Sequence, residues 1–204
     1  MATIQVGSWK EESDPRAVRA ARDKLRIDPS LAISQLERLA ESGSVKGMLY
    51  LADAYMRGRG APKDFEKARY WYQRIGERDV IFGAHMAASM DFRLKKFEEA
   101  RLGFWRCAEV GFLPSMYRKG YMLSVGLGGN KDLEQAEAVL RDAMNRGHFG
   151  AALYYARLMT RGVFGIKNIP RGIYMSIASR VRFVAAVLRS GGALVSQWDD
   201  RYVL

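Results

Sequence analysis

The sequence predicts an all-α fold in which about five helix-turn-helix repeats stack into a right-handed α–α superhelix. Three observations predict it: an internal repeat, two amphipathic helical stretches in most copies, and glycines where the first stretch ends. The repeat is marked by small residues that are 36, 32, 36 and 36 residues apart, namely Ala32, Ala68, Ala100, Ala136 and Gly172. Self-similarity at this period is typical of solenoids built from stacked supersecondary units.

The second helix of each repeat has a small residue followed four places later by a larger apolar one. The pairs are Ala32 with Leu36, Ala68 with Tyr72, Ala100 with Phe104, and Ala136 with Leu140. A further apolar or small side chain comes three places on, at Leu39, Ile75, Cys107 and Ala143. This spacing places the three positions on one helical face, where the small residue lets a neighbouring helix approach closely.

The first helix of each repeat carries two similar columns. One contains the small residues Ala52, Ala84, Gly120 and Ala156, and the other contains Tyr55, Ala87, Leu123 and Met159. Gly58, Gly126 and Gly162 follow three of these helices, as expected where the chain enters a left-handed turn. The second repeat has an inter-helix loop that is four residues shorter.

The repeats predict the domain boundaries. We expect a flexible N-terminus at 1–13, a solenoid over 14–190 and a C-terminal tail at 191–204. Within the solenoid, a degenerate cap covers 14–43, three repeats cover 44–80, 81–112 and 113–149, and a divergent last unit covers 150–190. Asp14 and Pro15 are placed as a helix start, and Asp28, Asp64 and Asp132 are placed as N-caps, with Asn168 in the same column of the last unit.

The segment from Ser44 to Asp79 resembles a Sel-one-like repeat, a relative of the tetratricopeptide repeat. The matching residues are Leu51, Ala52, Tyr55, Gly58, Gly60, Pro62, Asp64, Glu66, Lys67, Ala68, Trp71 and Tyr72. The third repeat keeps Gly126, Gly128, Asp132 and Ala136 but lacks the aromatic pair. The resemblance implies a non-enzymatic scaffold or adaptor for protein partners, of the kind that organises signalling, envelope or polysaccharide assembly.

Composition is that of a folded protein, with 49% hydrophobic and 27% charged residues. Cys107 is the only cysteine, so no internal disulfide can form. The N-terminus lacks the apolar run of a secretory signal, and a cytoplasmic location is expected. The net charge is +11, and no acidic residue occurs from Gly150 to Trp198. This asymmetry leaves open a second reading, a binder of an anionic surface (membrane or nucleic acid) through the arginine-rich last unit.

The sequence gives no indication of catalysis. His85 and His148 are the only histidines, and neither has a partner at a metal-ligand spacing. Cys107 lies in a core column and is interpreted as a small buried apolar residue. The glycine-rich loops lack the strand and the lysine–serine or –threonine ending of a phosphate loop. We therefore expect no enzyme, no metal and no cofactor.

Three columns of the first helices change chemistry at every repeat and predict a partner-binding groove. They are Tyr50, Phe82, Arg118 and Tyr154; Asp53, His85, Tyr121 and Arg157; and Arg57, Ser89, Val125 and Arg161. Of these, the proposed groove residues are Tyr50, Asp53, Arg57, His85, Arg118, Tyr121, Tyr154, Arg157 and Arg161. Ordinary variation on a solvated face is the alternative.

The last helix predicts a second surface. Ile173, Ile177, Val181, Val184 and Leu188 form an apolar stripe, most simply the side that packs on the preceding helices. Arg171, Arg182 and Arg189 form a basic face on the other side. Tyr174, Phe183 and Val187 add apolar area. Three occupants are open: the tail folding back, a second copy forming a homodimer through this helix and the tail, or an anionic membrane.

Overall fold

A computed structural model describes residues 14–189 of the 204-residue chain, and the predicted N-terminus (1–13) and tail (191–204) lie outside this range. The described part contains ten α-helices, one 3-10 turn and no strand, which confirms the all-α helical-repeat fold. The helices are α1 (Pro15–Lys24), α2 (Pro29–Glu41), α3 (Val45–Arg57), α4 (Phe65–Gly76), α5 (Val80–Arg93), α6 (Phe97–Glu109), α7 (Leu113–Val125), α8 (Leu133–Asn145), α9 (Phe149–Thr160) and α10 (Ile169–Arg189).

The chain divides into two compact units, 1–104 and 105–204, and the division falls inside α6. In the first unit, α1 packs on α2, α2 on α3, α3 on α4, and α4 on α5. In the second unit, α7 to α10 follow the same order. Consecutive packing is the arrangement of stacked helix pairs, in which each pair buries its apolar face on its neighbours.

The helices begin where short polar side chains can accept hydrogen bonds from the first amides. The Oδ1 atoms of Asp14, Asp28, Asp64 and Asp132 accept from the amide three residues on, at 2.9–3.1 Å. These N-caps were predicted from the sequence. Asp79 caps α5 in the same way, which the sequence analysis did not identify. Asn168 precedes α10, but its Nδ2 donates to the carbonyl of Phe164 at 2.6 Å. Such caps stabilise a helix by about 1 kcal/mol each.

The first helices of two repeats, α3 and α7, end at residues in the left-handed backbone conformation, as predicted. Gly58 and Gly126 are the C-caps of α3 and α7, with φ of 69° and 78°. The shortened loop between α5 and α6 has no glycine, and Lys95 takes the left-handed conformation there, with φ of 62°. A residue with a Cβ atom is strained in this region, because Cβ crowds the backbone carbonyl.

Replacing Lys95 with glycine is expected to raise the free energy of unfolding by about 0.5–1 kcal/mol, because the strain exceeds the extra backbone entropy of glycine. Urea denaturation followed by circular dichroism measures the change. Lys95→Ala is the matched control, since it removes the same charge and keeps the strain. Equal stabilities of the two variants would contradict the explanation.

The structure corrects the register of the second repeat. The small column of the first helices was predicted to contain Ala84, but Ala88 is the buried residue at the position of Ala52, Gly120 and Ala156. A Cβ atom at Gly103 of α6 would come within 2.6 Å of the Ala88 Cβ, so α5 and α6 approach closely there. The four-residue deletion lies after α5, in the loop itself. Residues of α5 therefore match those of α3 at a spacing of 36, and the shift of 32 begins only at α6.

The structure also overturns the predicted packing side of α10. Gly172 faces α9 so closely that a Cβ atom would lie 2.6 Å from the Thr160 amide nitrogen. Phe183 stacks on Phe149 of α9, with ring centroids 4.5 Å apart. Met175 packs against the core of the second unit. The predicted apolar stripe lies on the opposite side of α10, where Ile173 is 47% and Leu188 75% exposed.

Candidate functional site

In the first unit, the predicted groove residues Tyr50, Asp53 and Arg57 lie on one face of α3. The Arg57 Nε donates to the Asp53 carboxylate at 2.8 Å, so the two charges offset each other. The Arg22 guanidinium lies over the Tyr50 ring, 5.8 Å from its centroid. All three side chains are half-buried. The side chains of this face thus contact one another or Arg22 of α1, and the charges of Asp53 and Arg57 offset each other.

His85 does not lie on this face, and its assignment to the groove was wrong. It is 2% exposed, and its ring packs on Phe104, with centroids 5.4 Å apart. With the corrected register, Ser89 occupies the column of Asp53, and Arg93 occupies that of Arg57. Both are partly exposed. His85 instead shares its column with Leu49, an interior residue of α3.

In the second unit, α7 and α9 bring together five predicted groove residues and one neighbour. We call this set the Tyr–Arg surface; it consists of Tyr117, Arg118, Tyr121, Tyr154, Arg157 and Arg161. The Tyr154 ring is buried and meets the Tyr121 and Tyr117 rings edge-on, at centroid distances of 5.4 and 6.0 Å. Such edge-to-face pairs contribute about 0.5–1.5 kcal/mol beyond their area. The tyrosines therefore form a fixed cluster.

Arginine side chains lie on this cluster. The Arg157 guanidinium is 4.9 Å from the Tyr154 ring centroid, and that of Arg118 is 5.7 Å from the Tyr117 centroid. Arg118 is buried, whereas Arg157 and Arg161 are exposed. Stacking on the Tyr154 ring orients the Arg157 guanidinium, which is exposed to solvent and so accessible to an acceptor. The arrangement suits recognition of a carboxylate or another planar anion.

Two residues that the sequence analysis did not assign to the site hold the cluster in place. The Ser124 hydroxyl donates to the Tyr121 carbonyl at 2.7 Å and accepts from the Tyr154 hydroxyl at 2.7 Å. His148 is the N-cap of α9, where its Nδ1 accepts from the Ala151 amide at 2.9 Å. Its ring also stacks on Tyr117. The spacing of Tyr117, Tyr121 and Ser124, four and then three residues apart on one side of α7, was the available signal.

The His148 side chain is neutral at physiological pH. Burial and the neighbouring Arg118 charge lower its pKa to about 4. A neutral ring with Nδ1 as an acceptor is the form that the N-cap requires, because a protonated Nδ1 becomes a donor facing another donor. His148 therefore has a structural role at this site.

Charge is segregated within the second unit. The helices α7, α9 and α10 carry no carboxylate, whereas α8 carries Glu134, Glu137 and Asp142. Lys119 adds to the positive charge of α7 beside Arg118. The Tyr–Arg surface therefore has a positive potential that its own helices do not neutralise.

A cavity of about 500 Å³ lies between the end of α8, the start of α9 and α10. Its lining includes His148, Phe149, Tyr174, Arg182 and Phe183, and no carboxylate.

Residues 14–189 contain no cluster of three or more His, Cys, Asp or Glu side chains that could hold a metal ion. Cys107 is buried, as predicted, and burial raises the pKa of its thiol, while a hydrogen bond with Ser115 acts in the opposite direction.

The predicted basic face of α10 is exposed at Arg171, Arg182 and Arg189. No helix of the described residues is long and apolar enough to cross a membrane. Arg180 is also exposed, and it lies on the other border of the apolar stripe when positions are projected at about 100° per residue. Arginines thus flank the exposed stripe on both sides.

Comparison with known proteins agrees with the repeat. Residues 45–80 and 113–138 match the family model of the Sel1 repeat. No curated protein sequence matches the chain.

Two solved structures share the fold. The first is c5321, a protective antigen of uropathogenic Escherichia coli strains that displays an SLR fold; it is 18% identical with a TM-score of 0.61, and the match covers 81% of this chain and 38% of that one. The second is a Sel1 repeat protein from Oxalobacter formigenes, 16% identical with a TM-score of 0.60, covering 79% of this chain and 71% of that one. At these identities the likeness concerns the fold alone. The chain therefore contains two segments that match the Sel1 repeat, in a fold that it shares with solved Sel1-like repeat structures.

Proposed function

We propose that this chain is a non-enzymatic scaffold for protein–protein interaction and that its Tyr–Arg surface binds an acidic segment of a partner protein. The observation that carries the proposal is the exposed Arg157 guanidinium, which stacks over a rigid tyrosine cluster on two helices without carboxylates. Sel1 repeats typically mediate protein interactions, which supports the same class of function.

The chemistry of the surface favours a protein partner. Tyrosine and arginine are enriched among the residues that dominate binding energy at protein interfaces. Tyrosine offers a large contact area at a small entropic cost, and the partly exposed Tyr121 ring is already held in place by its contact with the buried Tyr154 ring. Positive charge accelerates the approach of an acidic partner and excludes basic ones.

The test compares baits that differ only in where charge is reversed. The double variant Arg157→Glu with Arg161→Glu alters the Tyr–Arg surface. The control, Lys131→Glu with Arg141→Glu, makes the same change in net charge at exposed positions that lie outside this surface. Each bait is used to capture proteins from lysate of the source organism, with and without nuclease treatment and at low and at high salt.

We expect the native and control baits to retain the same protein, and the surface variant to lose it. With the purified partner, the Kd should rise at least about tenfold for Arg157→Glu and Arg161→Glu and change little for the control. Retention of the same partner by all three baits would refute the assignment of the surface. A nuclease-sensitive or lipid-containing capture that all baits share would instead favour the second function, an anionic-surface binder that uses the basic last unit.

A further inference from the structure

The cavity of about 500 Å³ between α8, α9 and α10 lies beside a helix that two contacts hold in position. At Gly172, α10 approaches α9 so closely that a Cβ atom would clash with the backbone of α9, and the Phe183 ring stacks on Phe149. Between these contacts, Ala178 and Ser179 line the cavity with small side chains. The helix therefore cannot close over this space without losing one of its two contacts.

The walls of the cavity are mainly apolar. They include Met144 at the end of α8, Phe149 at the start of α9, and Met175 and Phe183 of α10. Methionine side chains adapt to the shape of a bound apolar group and make favourable contacts with aromatic rings. The volume lies within the range of about 300–1,000 Å³ that is typical of small-molecule sites. The cavity thus suits a small ligand with an apolar body.

One positive charge adjoins these apolar walls. Arg182 of α10 lines the cavity and is exposed to solvent, and no carboxylate is among the described residues that line the cavity with it. A guanidinium binds a carboxylate through two parallel hydrogen bonds. A single guanidinium balances the charge of a carboxylate, whereas a phosphate monoester carries almost two negative charges. The lining therefore favours a ligand with one carboxylate.

His148 adds a hydrogen-bond donor to the lining of the same cavity. Its Nδ1 accepts from the Ala151 amide at 2.9 Å, so the neutral ring carries its proton on Nε2. Burial and the charge of Arg118 keep the ring neutral, with a pKa of about 4. The Nε2–H group and the Arg182 guanidinium are both donors, which favours a carboxylate, whose oxygens only accept, over an amine.

We propose that this cavity binds a small amphipathic carboxylate, with its apolar body among the methionine and phenylalanine side chains and its carboxylate on Arg182. An apolar body gains affinity here because it displaces poorly ordered water from apolar walls. The head group gains affinity from the charge-assisted hydrogen bonds of the guanidinium. The site does not depend on the protein partner proposed above.

Phenylbutyrate is the probe for this site, and phenylbutanol has the same apolar body without the charge. Both are titrated into the full-length chain with ¹³C-labelled methionine methyl groups, which are observed by NMR. Met144 and Met175 report binding in the cavity, and Met48 and Met90 of the first unit serve as references. We expect saturable shifts of the two cavity methyls, with a Kd below about 1 mM for the carboxylate. The alcohol should bind at least about tenfold more weakly.

Two variants separate Arg182 from the general positive charge of α10. Arg182→Gln should raise the Kd of phenylbutyrate at least about tenfold and abolish the preference for the carboxylate over the alcohol. Arg180→Gln is the matched control, because it removes the same charge from an exposed position of the same helix that does not line the cavity. It should change the Kd less than about twofold.

A second pair tests the volume of the cavity with adjacent alanines of α10. Ala186 lines the cavity and Ala185 does not, and both are half-buried. Ala186→Leu should weaken phenylbutyrate and phenylbutanol alike, at least about fivefold, because it occupies space that the apolar body needs. Ala185→Leu should leave both affinities nearly unchanged.

Three results would overturn the proposal. One is the absence of saturable shifts at Met144 and Met175, and another is equal shifts at Met48 and Met90, which would show non-specific apolar association. The third is equal affinity of the carboxylate and the alcohol in the native protein, which would exclude recognition of the charge. This last comparison needs no substitution, so it decides the question even where a variant fails to fold.

Discussion

Replacing Gly83 with alanine is expected to lower the free energy of unfolding by about 3 kcal/mol or more. Gly83 lies near the start of α5, against the end of α4. A Cβ atom there would be 2.2 Å from the Gly76 nitrogen, 2.4 Å from its Cα and 2.8 Å from the Tyr72 carbonyl oxygen. All three are backbone atoms, so no side chain can turn aside. The helices must separate, and this loosens the packing of Tyr72 and Ile75 beneath them.

The facing glycine supplies the control. A Cβ atom at Gly76 would have no neighbour closer than 3.8 Å. Because alanine is favoured over glycine in a helix, Gly76→Ala should be neutral or stabilising, by up to about 1 kcal/mol. Urea denaturation of both variants measures the difference. Similar small effects of the two substitutions would show that α4 and α5 are not as close as the structure has them.

Acidification is expected to destabilise the protein through His148. Its pKa is about 4 when folded, against an ordinary value of 6.5, so the unfolded chain binds the proton more tightly. The stability that His148 contributes is therefore fully present above pH 6.5 and is lost as the pH falls towards 4. The loss amounts to about 3 kcal/mol. Protonation breaks the Nδ1 bond to Ala151 and places a charge next to Arg118.

His148→Asn separates this effect from the titration of the capping aspartates. Asparagine is also a good N-cap, but it does not titrate. The free energy of unfolding is measured for both proteins by urea denaturation between pH 4 and pH 7.5. The native protein should lose about 3 kcal/mol more than the variant across this range. Parallel pH profiles of the two proteins would show that the His148 imidazole binds a proton as readily in the folded state as in the unfolded state.

Periodicity and capping chemistry were sufficient to predict the helices, because both are local. Asp64 and Asp132 cap helices wherever the chain places them, and Gly58 and Gly126 end helices for the same local reason. Register was harder to predict, since a deletion of four residues is close to one helical turn. A shift by one turn keeps residues on nearly the same face, so His85 appeared equivalent to Asp53. It is instead equivalent to Leu49, one turn earlier in the helix, where the side chain is buried.

The candidate site was predictable as a set of columns but not as a set of contacts. Arg157 and Tyr121 lie on the helix faces expected for them. Which tyrosine packs on which arginine depends on how α7 and α9 are spaced, and periodicity contains no information about that distance. The side of α10 was missed for a related reason. Both of its faces carry apolar residues, and the close approach at Gly172 decided which one packs.

The single cysteine, Cys107, is buried, and its reaction with an alkylating reagent can therefore report internal motion of the protein. The thiol reacts only as a thiolate in contact with solvent, and burial opposes both conditions at Cys107. Alkylation under native conditions therefore proceeds through transient openings that expose this residue. Its rate, divided by that of the denatured chain, gives the equilibrium constant of those openings when closing is fast. Without any engineered label, the chain thus reports the free energy of local opening at the Cys107 end of α6, and a bound partner that stabilises this region would slow the reaction.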